Sequence, residues 1–492
     1  MLKLASRMSL WWLAALIALI FVAIGVGALA YEKLFRRVIP IYANDEEHFK
    51  YGSIGNDGET GLPYPIWLVL PKLFPQHLPG PGGYAALGFR WEPGRTPSAA
   101  PIGFSRARVG VERIAINCAF CHVTTFRRAP DAALEFALAG VSNTVDVLGY
   151  QTFLTACARD PRFTASVLLP AIEAEIELTW LDRVLYRYIL IPFTRRGLLA
   201  QGQAFEWTSR HRRPAWGPGR IDPFNPVKFA MLGLPDDGTI GNSDMQAVWN
   251  LDQRNAVRAD APLHWDGLNN SIREVVLSSA LGDGTTAREY DARTRASLDR
   301  IDLYLRRTVA APSPHRPDPS AAVRGRQVYL RLCGNCHEAG GAQTLTVVPV
   351  AEVGTDRHRV DMWTTAARDA YNGYRRGYDW GFHHFRKVEG YVSEPLDGLW
   401  LRAPYLHNGS VPTLADLLEP PERRPSAYLR GIEVLDAARG GFVAPACEPG
   451  AVAPGAFCYD TRLPGNGNGG HVYGTDLPAA EKADLLAYLL TL

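Results

Sequence analysis

The pentapeptide CAFCH at residues 118–122 returns as CGNCH at residues 333–337, 333 − 118 = 215 residues further along the chain. In a Cys-x-x-Cys-His pattern the two thiols lie about one helical turn apart, so both reach the vinyl groups of one porphyrin, and the histidine lies under its iron. The repeated pattern therefore predicts two covalently bound haem c groups. The predicted attachment and ligand residues are Cys118, Cys121, His122, Cys333, Cys336 and His337.

Two other chemistries also use paired cysteines. Four cysteines can hold one zinc ion, and a single Cys-x-x-Cys pair can be a thioredoxin-like redox centre. Neither requires a histidine directly after the second cysteine, and both copies here have one. Haem attachment is therefore the favoured interpretation.

Composition narrows the class of protein. The chain has 492 residues, enough for two or three domains, and a net charge of +2 without a basic block, which argues against nucleic acid as a partner. Its 46 glycines and 36 prolines, together with abundant aromatic residues, predict many ordered loops wrapped around cofactors rather than disorder.

The N-terminus carries the apolar run SLWWLAALIALIFVAIGVGALA, which from Leu10 to Ala30 is about long enough to cross a bilayer as a helix. Residues 1–30 are predicted to be a membrane anchor, or a signal sequence cleaved after Ala28-Leu29-Ala30. Because bacterial haem c is attached outside the cytoplasmic membrane, the bulk of the chain is predicted to be periplasmic and anchored to the inner membrane, or secreted if the run is cleaved.

The remaining cysteines fit an oxidising compartment. Cys447 and Cys458 flank a loop rich in proline, glycine and alanine and are predicted to form a disulfide, with two free thiols as the alternative. Cys157 has apolar neighbours and is predicted to be a buried thiol.

Helical periodicity and a proline-rich linker suggest two tandem units. Apolar residues recur at helical spacing before the linker (298–305) and at the C-terminus (485–492), and residues 321–332 form a helix leading into the second motif. One further helix is predicted around Ile172, Ile176, Trp180, Leu181 and Leu185. We predict a mainly α fold with two tandem cytochrome c-like domains and long loop-rich extensions, preceded by one transmembrane helix. The predicted ranges are 31–108 for an irregular N-terminal wrap, 109–310 for the first haem domain, 311–320 for the linker and 321–492 for the second haem domain.

The stretch LDGLWLRAPYLHNGSVPTLADLLEP at residues 396–420 resembles the dihaem cytochrome c peroxidase and MauG superfamily, and most closely its RoxA-type (rubber oxygenase-like) branch. Further matching stretches extend the resemblance over nearly the whole chain after Tyr42. These are EEHFKYGSIG (46–55), LPGPGGYAALGF (78–89), GPGRIDPFNPVK (217–228), LHWDGLNNSI (263–272) and PGNGNGGHVYGT (464–475).

The resemblance implies a role for one tryptophan. In the peroxidases a tryptophan in a WDG segment stands between the two haems and helps electrons to cross, and Trp265 occupies the matching position. Without the resemblance, a tryptophan beside Asp-Gly is ordinarily a core aromatic residue near a turn.

The resemblance also bears on the sixth ligand of each iron. For the second haem it favours His471 in GGHVYGT as the distal imidazole; the other candidates after His337 are His358, His383, His384, His407 and Met362. In the loop that carries the distal histidine of the first haem in peroxidases, this chain has Asn242. We therefore predict an open first haem, with Asn242 and Trp265 as catalytic residues; alternative ligands are His211, His264 and Met245. We expect His264 to point away from Trp265, because adjacent residues in an extended segment face opposite ways.

The peroxidases use a glutamate about twenty residues beyond the tryptophan as an acid/base. Only Asp283 and Glu289 lie near that place, and neither matches it. The departure favours dioxygen chemistry on an apolar organic substrate, with the second haem as electron partner through the tryptophan. The alternatives are hydrogen peroxide reduction, oxidation of a periplasmic redox partner, or electron transfer without turnover.

A calcium ion between the two domains is common in this superfamily. Oxygen atoms around Asn250 and the Ala403–Pro404 segment are the candidate ligands.

Overall fold

A computed structural model describes residues 2–96, 98–290, 292–453 and 455–492. Helices hold 42% of the residues, and the strands are short. The α-helices of the described residues are α1 Leu2–Ala30, α2 Asp45–Tyr51, α3 Tyr64–Leu73, α4 Cys118–Cys121, α5 Val147–Arg159, α6 Ala165–Glu173, α7 Trp180–Leu185, α8 Ile191–Ala204, α9 Leu251–Val257, α10 Ile272–Gly282, α11 Ala292–Arg307, α12 Pro319–Leu332, α13 Gly334–His337, α14 Val350–Val353, α15 His358–Met362, α16 Thr365–Gly373, α17 Leu414–Leu417 and α18 Ala479–Leu489.

The strands pair in small antiparallel sheets. The largest has the order β1-β3-β4-β2, and the others have two strands each: β5 with β6, β7 with β8, β9 with β10, and β11 with β12. Their bounds are β1 Arg37–Val38, β2 Leu62–Pro63, β3 Phe104–Val109, β4 Val111–Ile116, β5 Val123–Phe126, β6 Glu135–Leu138, β7 Arg220–Ile221, β8 Ser243–Asp244, β9 Val347–Pro349, β10 Gly390–Val392, β11 Ala427–Arg430 and β12 Phe457–Asp460.

Residues 11–29 of helix α1 are apolar and exposed. The span Trp11–Phe35 has a mean hydropathy of 2.8, and in the described part of the chain it is the one helix long and apolar enough to cross a membrane. A signal sequence near the N-terminus has the same properties. Of the range predicted as anchor or signal, Met1 lies outside the described residues.

The second motif sits between two crossed helices, as predicted from the helical pattern. Helix α12 leads directly into Cys333 and packs against the C-terminal helix α18. Gly325 permits the crossing, because a Cβ there would lie 1.9 Å from the carbonyl oxygen of Asp484. The rings of Tyr329 and Tyr488 pack 5.1 Å apart on the same face.

The first motif has an equivalent helix pair, but its leading helix comes from the predicted wrap. Helix α11 packs against α2, and the rings of Phe49 and Tyr304 lie 5.0 Å apart. Periodicity predicted α11 correctly, whereas α2 was not recognised, because seven residues inside a Gly- and Pro-rich stretch carry little periodic signal. The boundary predicted between residues 108 and 109 separates these two packed helices.

The predicted wrap also contributes to the largest sheet. Strands β3 and β4 form a hairpin across Gly110, whose φ of +70° suits glycine, and β1 and β2 pair with its two edges. The segment 31–108 is therefore partly regular, and strand β4 leads straight to the first motif.

One predicted helix is two helices. The apolar pattern from Ile172 to Leu185 is interrupted between α6 and α7. Thr179 begins the second helix with a capping box, in which its hydroxyl accepts from the Asp182 amide and the Asp182 carboxylate accepts from the Thr179 amide. The 3.6-residue period continues across the break, which is why the pattern suggested one element.

The cysteine predictions are confirmed. Cys447 and Cys458 form a disulfide beside the β11–β12 hairpin, with Cα atoms 6.0 Å apart. Cys157 is fully buried in α5, in the core cluster formed with α3, α6 and α8. Burial raises the pKa of its thiol, so the group stays protonated at neutral pH.

Candidate haem sites

The first Cys-x-x-Cys-His motif is fastened to the end of α2 by Asn117. The side-chain oxygen Oδ1 of Asn117 caps α4 by accepting from the Ala119 backbone amide at 3.0 Å. Its side-chain Nδ2 donates to the backbone carbonyl oxygens of Lys50 and Gly52, at 3.2 and 3.0 Å. One buried side chain therefore holds the motif in register with the leading helix of its domain.

His122, which closes this motif, is oriented for metal binding. Its Nδ1 donates to the carbonyl oxygen of Gln246 at 2.8 Å, which leaves Nε2 as the available ligand atom. Burial lowers the pKa of this imidazole to about 4, so it is neutral. A neutral imidazole with its outer nitrogen held by a carbonyl is the form that ligates iron.

His337 repeats the arrangement in the second motif. Its Nδ1 donates to the carbonyl oxygen of Glu394 at 2.6 Å, and burial lowers the pKa of the imidazole. The residues of both motifs therefore fit haem c in the same manner: two thiols one turn apart, followed by an oriented, neutral imidazole.

His471 lies opposite His337. Their ring centres are 6.2 Å apart. Because a metal–imidazole bond is about 2 Å long and the ring centre lies about 1 Å behind the bonded nitrogen, two imidazoles on opposite faces of one iron have centres about 6 Å apart. The pair therefore has the spacing that a bis-histidine iron requires.

The loop that carries His471 is held from both sides. The His471 amide donates to the carbonyl oxygen of Val353 at 2.7 Å. The buried Arg424 donates to the carbonyl oxygens of Asn468, Gly470 and His471. With His471 itself at a φ of +44°, the loop is fixed by these contacts, and no regular element spans it.

The other histidines suggested for the second iron have protein partners. The Nε2 of His407 contacts the Tyr391 hydroxyl at 3.0 Å, and the two rings stack. His358 pairs with Asp356, and His384 pairs with Glu274, which also accepts from the His383 amide.

Among the described residues, no ring contact like that of His337 with His471 is seen for His122. His264, whose Nε2 is buried and unpaired, lies close enough to His122 to interact with it electrostatically. Of the alternatives, His211 is largely exposed and pairs with Asp236. His264 is buried. The expectation that it points away from Trp265 assumed an extended segment, and that assumption is wrong. His264 has a φ of +67° and its backbone carbonyl accepts from the Gly267 amide, so the segment is a turn.

A group of buried nitrogen atoms around Phe224 has no hydrogen-bond partner among the described residues. The ring of Phe224 lies 5.4 Å from that of His264 and 4.9 Å from that of Trp363, and the Arg359 guanidinium lies 5.1 Å from it. The unpaired atoms are His264 Nε2, Arg359 Nε, Arg359 Nη1 and Trp363 Nε1. Such groups are costly to bury unsatisfied, and the carboxylates of a haem are acceptors of the kind they need.

Trp265 connects the segments that hold the two proximal histidines. Its Nε1 donates to the Asp244 carbonyl at 2.8 Å, two residues before Gln246. Its own carbonyl accepts from the Val392 amide at 2.8 Å, two residues before Glu394. The tryptophan therefore bridges the backbone that orients His122 to the backbone that orients His337.

A second link between the sites was missed from the sequence. The Gln246 side-chain amide donates to the Glu394 carboxylate, so the two residues that receive the proximal histidines are themselves hydrogen-bonded. The same buried carboxylate pairs with Arg254 at 3.2 Å and with Arg402 at 3.1 Å. A lone Glu before Pro-Leu carries no local signal of such a role.

Asn242 is buried, and its amide donates to the Pro214 carbonyl at 3.1 Å, while its Oδ1 accepts nothing from the described residues. The flanking loop faces the second motif's half of the chain, since Gly241 lies against Met362 and Ile240 against Gly465. No hydrogen bond between described residues joins Asn242 to the first motif.

Of the two carboxylates near the expected acid/base position, Glu289 is bound by both guanidinium nitrogens of Arg37. Asp283 lies beside the first motif. Asn56 donates to the carbonyls of both Asp283 and Ile116, at 3.1 and 3.0 Å. Burial raises the pKa of the Asp283 carboxyl to about 7.

The residues suggested for calcium do not fit a calcium ion. The side-chain oxygen Oδ1 of Asn250 accepts from the Ala310 backbone amide at 3.2 Å, and its side-chain Nδ2 donates to the Asp397 carboxylate at 2.8 Å. The Arg402 guanidinium donates to the carbonyl and the carboxylate of Asp397. The positive charge at this junction is therefore already supplied by the Arg402 guanidinium. The described residues contain no metal-binding group of three His, Cys, Asp or Glu side chains.

Comparison with known proteins points the same way as the two motifs. Residues 390–429, which include Glu394 and the 396–420 stretch, match the family described as RoxA-like, cytochrome c-like. The match links the chain to the cytochrome c family.

Two relatives come from Sinorhizobium fredii (strain NBRC 101917 / NGR234). Uncharacterized protein y4iM is 29% identical over 269 residues, which are 48% of this chain and 58% of the relative. Uncharacterized protein y4iJ is 40% identical over 111 residues, 21% of this chain and 18% of the relative. The chain therefore covers less than two thirds of either.

Proposed function

We propose that the chain is a dihaem c-type cytochrome oxidoreductase that works outside the cytoplasmic membrane and oxidises an apolar organic substrate with dioxygen. Haem c bound at each motif supplies a redox-active iron. Cys118, Cys121 and His122 would hold the first haem, with no protein ligand proposed opposite His122. Cys333, Cys336, His337 and His471 would hold the second, which would serve as electron partner.

The asymmetry between the two proximal histidines carries this proposal. His337 has a ring opposite it at 6.2 Å, and His122 has no such ring among the described residues. An iron ligated by protein on both faces transfers electrons, whereas one with a vacant face binds a small oxidant. The two copies of the motif are therefore proposed to have different functions, oxidant binding at the first and electron transfer at the second.

The chain's own residues have defined roles in this proposal. The carbonyls of Gln246 and Glu394 hold the two proximal imidazoles in one tautomer. Trp265 bridges the segments that carry these carbonyls and is the proposed route for electrons between the sites. Asn242 is proposed to face the first haem, a role that rests on the resemblance.

An apolar substrate suits the surroundings of the first motif. Helix α10, which ends beside Asp283, turns Val276, Leu277 and Ala280 into the core. No glutamate occupies the position that peroxidases use for acid/base chemistry. These buried apolar side chains are the feature of the chain that supports an uncharged organic substrate in this proposal.

Electron paramagnetic resonance of the fully oxidised protein tests the proposal. We expect one high-spin ferric signal from the first haem and one low-spin signal from the second. His471→Ala is expected to convert the low-spin signal to high spin, whereas the control His358→Ala, which changes a histidine paired with Asp356, leaves it unchanged. Two low-spin signals in the native protein would contradict an open first haem and favour an electron carrier.

Peroxide reduction is the second candidate, and Asp283 is the observation that favours it. This carboxyl lies beside the first motif and has a pKa of about 7, which suits proton transfer near neutral pH. If the chain is a peroxidase, Asp283→Asn lowers the rate of peroxide reduction by about 100-fold or more. Glu289→Gln is the matched control, because that carboxylate is committed to Arg37. Equal rates in wild type and Asp283→Asn would remove this candidate.

A further inference from the structure

Helices α7 and α8, and the π-helical turn Tyr186–Leu190 that joins them, expose a strip of large apolar side chains. Trp180, Tyr188 and Phe193 have exposed fractions of 72%, 70% and 68%. Val184 and Ile189 are smaller and also exposed. Contiguous exposed apolar surface of this kind marks a contact site. We call these five residues the aromatic strip.

The strip is built into one face of a continuous helical segment. Residues 180, 184 and 188 are spaced by four and therefore follow one another along the helix. The opposite face is buried through Leu185, Leu190 and Leu198, which pack in the core with α3, α5 and α6. The segment is thus anchored to the domain by one apolar face and presents a second one outward.

Positive charge accompanies the strip. Arg183, Arg187 and Arg196 are exposed on the same segment, between and beside the aromatic residues, and Arg183 also pairs with Glu173 at 2.5 Å. Aromatic residues interleaved with arginines are the composition of a surface that contacts phospholipid headgroups, where Trp and Tyr lie at the interface and arginine meets phosphate.

The strip lies where α1 joins the domain. Lys33, just after α1, pairs with Asp182 of α7 at 2.7 Å, two residues from Trp180. Tyr31 and Phe35 in the same turn of chain are also exposed, with fractions of 61% and 65%. The apolar surface therefore continues from the end of α1 onto α7.

The junction leaves no free linker between α1 and the domain. Residues 31–35 continue the helix as a π turn, and β1 then pairs with β3. Leu34 is packed so closely on the β3–β4 turn that a Cβ on Gly110 would lie 2.5 Å from its carbonyl oxygen. A membrane-inserted α1 consequently fixes which face of the domain is next to the bilayer.

We propose that the aromatic strip is a second membrane contact, lying on the outer leaflet of the same phospholipid bilayer that α1 spans. The inference rests on the proposed membrane anchoring. It adds that the domain is laid flat against the lipid surface with a fixed orientation, so that the first haem domain, to which α7 and α8 belong, is the one next to the membrane. An apolar substrate dissolved in the bilayer would reach that domain first.

The test uses the full chain in vesicles of phosphatidylglycerol and phosphatidylcholine, with single cysteines carrying a polarity-sensitive fluorophore. Tyr188→Cys reports on the strip. Val323→Cys on α12 is the matched control, because Val323 is a comparably exposed apolar residue, at 66%, in the second haem domain. The unsubstituted chain is labelled in parallel, and its one native free thiol outside the motifs, Cys157, is buried. Quenching is compared between nitroxide-labelled lipid and aqueous iodide.

We expect the label at position 188 to be quenched at least five-fold more by nitroxide lipid than the label at 323, and the reverse with iodide. Quenching of both labels by iodide alone would overturn the proposal. Protection of the label at 188 from both quenchers would also overturn it, since a protein partner or a second copy would then cover the strip. Haem absorbance and spin state are recorded on the same samples, so failure of the haem assignment is recognised separately.

Discussion

Gly325 offers the sharpest test of the helix crossing beside the second Cys-x-x-Cys-His motif. In Gly325→Ala, the new Cβ would lie 1.9 Å from the Asp484 carbonyl oxygen, 2.5 Å from its carbonyl carbon and 2.9 Å from the Tyr488 Cβ. Carbon–oxygen contacts are ordinarily about 3.3–3.6 Å, so α12 and α18 must separate by more than about 1 Å. All three contacts are with the backbone or the first atom of a side chain, so rotation of a side chain does not relieve them.

The expected cost follows from three contributions. Overpacking of this type costs about 1–3 kcal/mol, and loosening the Tyr329–Tyr488 ring contact costs about 0.5–1.5 kcal/mol. Alanine gains about 1 kcal/mol over glycine from helix propensity. The net prediction is a loss of about 2 kcal/mol in the free energy of unfolding of the second haem domain.

The assay is guanidinium unfolding of the holoprotein, followed by far-ultraviolet circular dichroism and by haem absorbance. The matched control is Gly197→Ala in the middle of α8, where a Cβ would meet nothing within 4 Å. That control is expected to be neutral or more stable by about 0.5–1 kcal/mol. Equal stabilisation of both variants would refute the close crossing of α12 and α18.

Three further outcomes are expected. Glu394→Gln removes a buried negative charge beside His337, so the reduction potential of a haem held there rises in a spectroelectrochemical titration. Arg254 loses its carboxylate partner while Arg402 keeps Asp397, and the free energy of unfolding falls by about 3 kcal/mol. For Asp283, the folded-state pKa of about 7 lies above the ordinary aspartate value of 3.8, so the folded protein binds more protons and wild-type stability falls as the pH rises from about 4 to about 7. Asn at this position does not ionise, so the free energy of unfolding of Asp283→Asn is expected to equal that of wild type at pH 4 and to exceed it by about 2 kcal/mol at pH 8, measured by thermal unfolding. This difference is roughly half of what a fully buried carboxyl would give, because the Asp283 side chain is partly exposed. Replacing Cys447 and Cys458 together by serine is expected to cost about 2–3 kcal/mol in chemical unfolding, since the bridge closes a short loop in the unfolded chain.

Local patterns predicted local structure well. Helices α11, α12 and α18 have uninterrupted apolar periodicity, and the Cys-x-x-Cys-His spacing is a property of five adjacent residues. The position of His471 opposite His337 was predicted through a family resemblance, and no local feature of the glycine-rich loop indicates it. Patterns of this kind predict structure only within a single helix, strand or motif.

Features that depend on distant segments were not predicted. The partnership of α2 with α11 joins residues about 250 positions apart, and the Gln246–Glu394 hydrogen bond joins two residues with ordinary neighbours. The turn at His264 escaped because a positive φ at a residue other than glycine is uncommon. In each case tertiary packing, and not local propensity, determines the conformation.

The pairing of α2 with α11 has a consequence for the order in which the protein is made. If the chain is exported N-terminus first, α2 and the first motif emerge long before α11, so the thiols of Cys118 and Cys121 meet the haem-attachment machinery on an unclosed domain. Contacts between such distant segments also form slowly. The second domain differs, because α12 adjoins its motif directly and only α18 must follow. If haem c is bound at the first motif, its attachment is therefore expected to precede the pairing of α2 with α11.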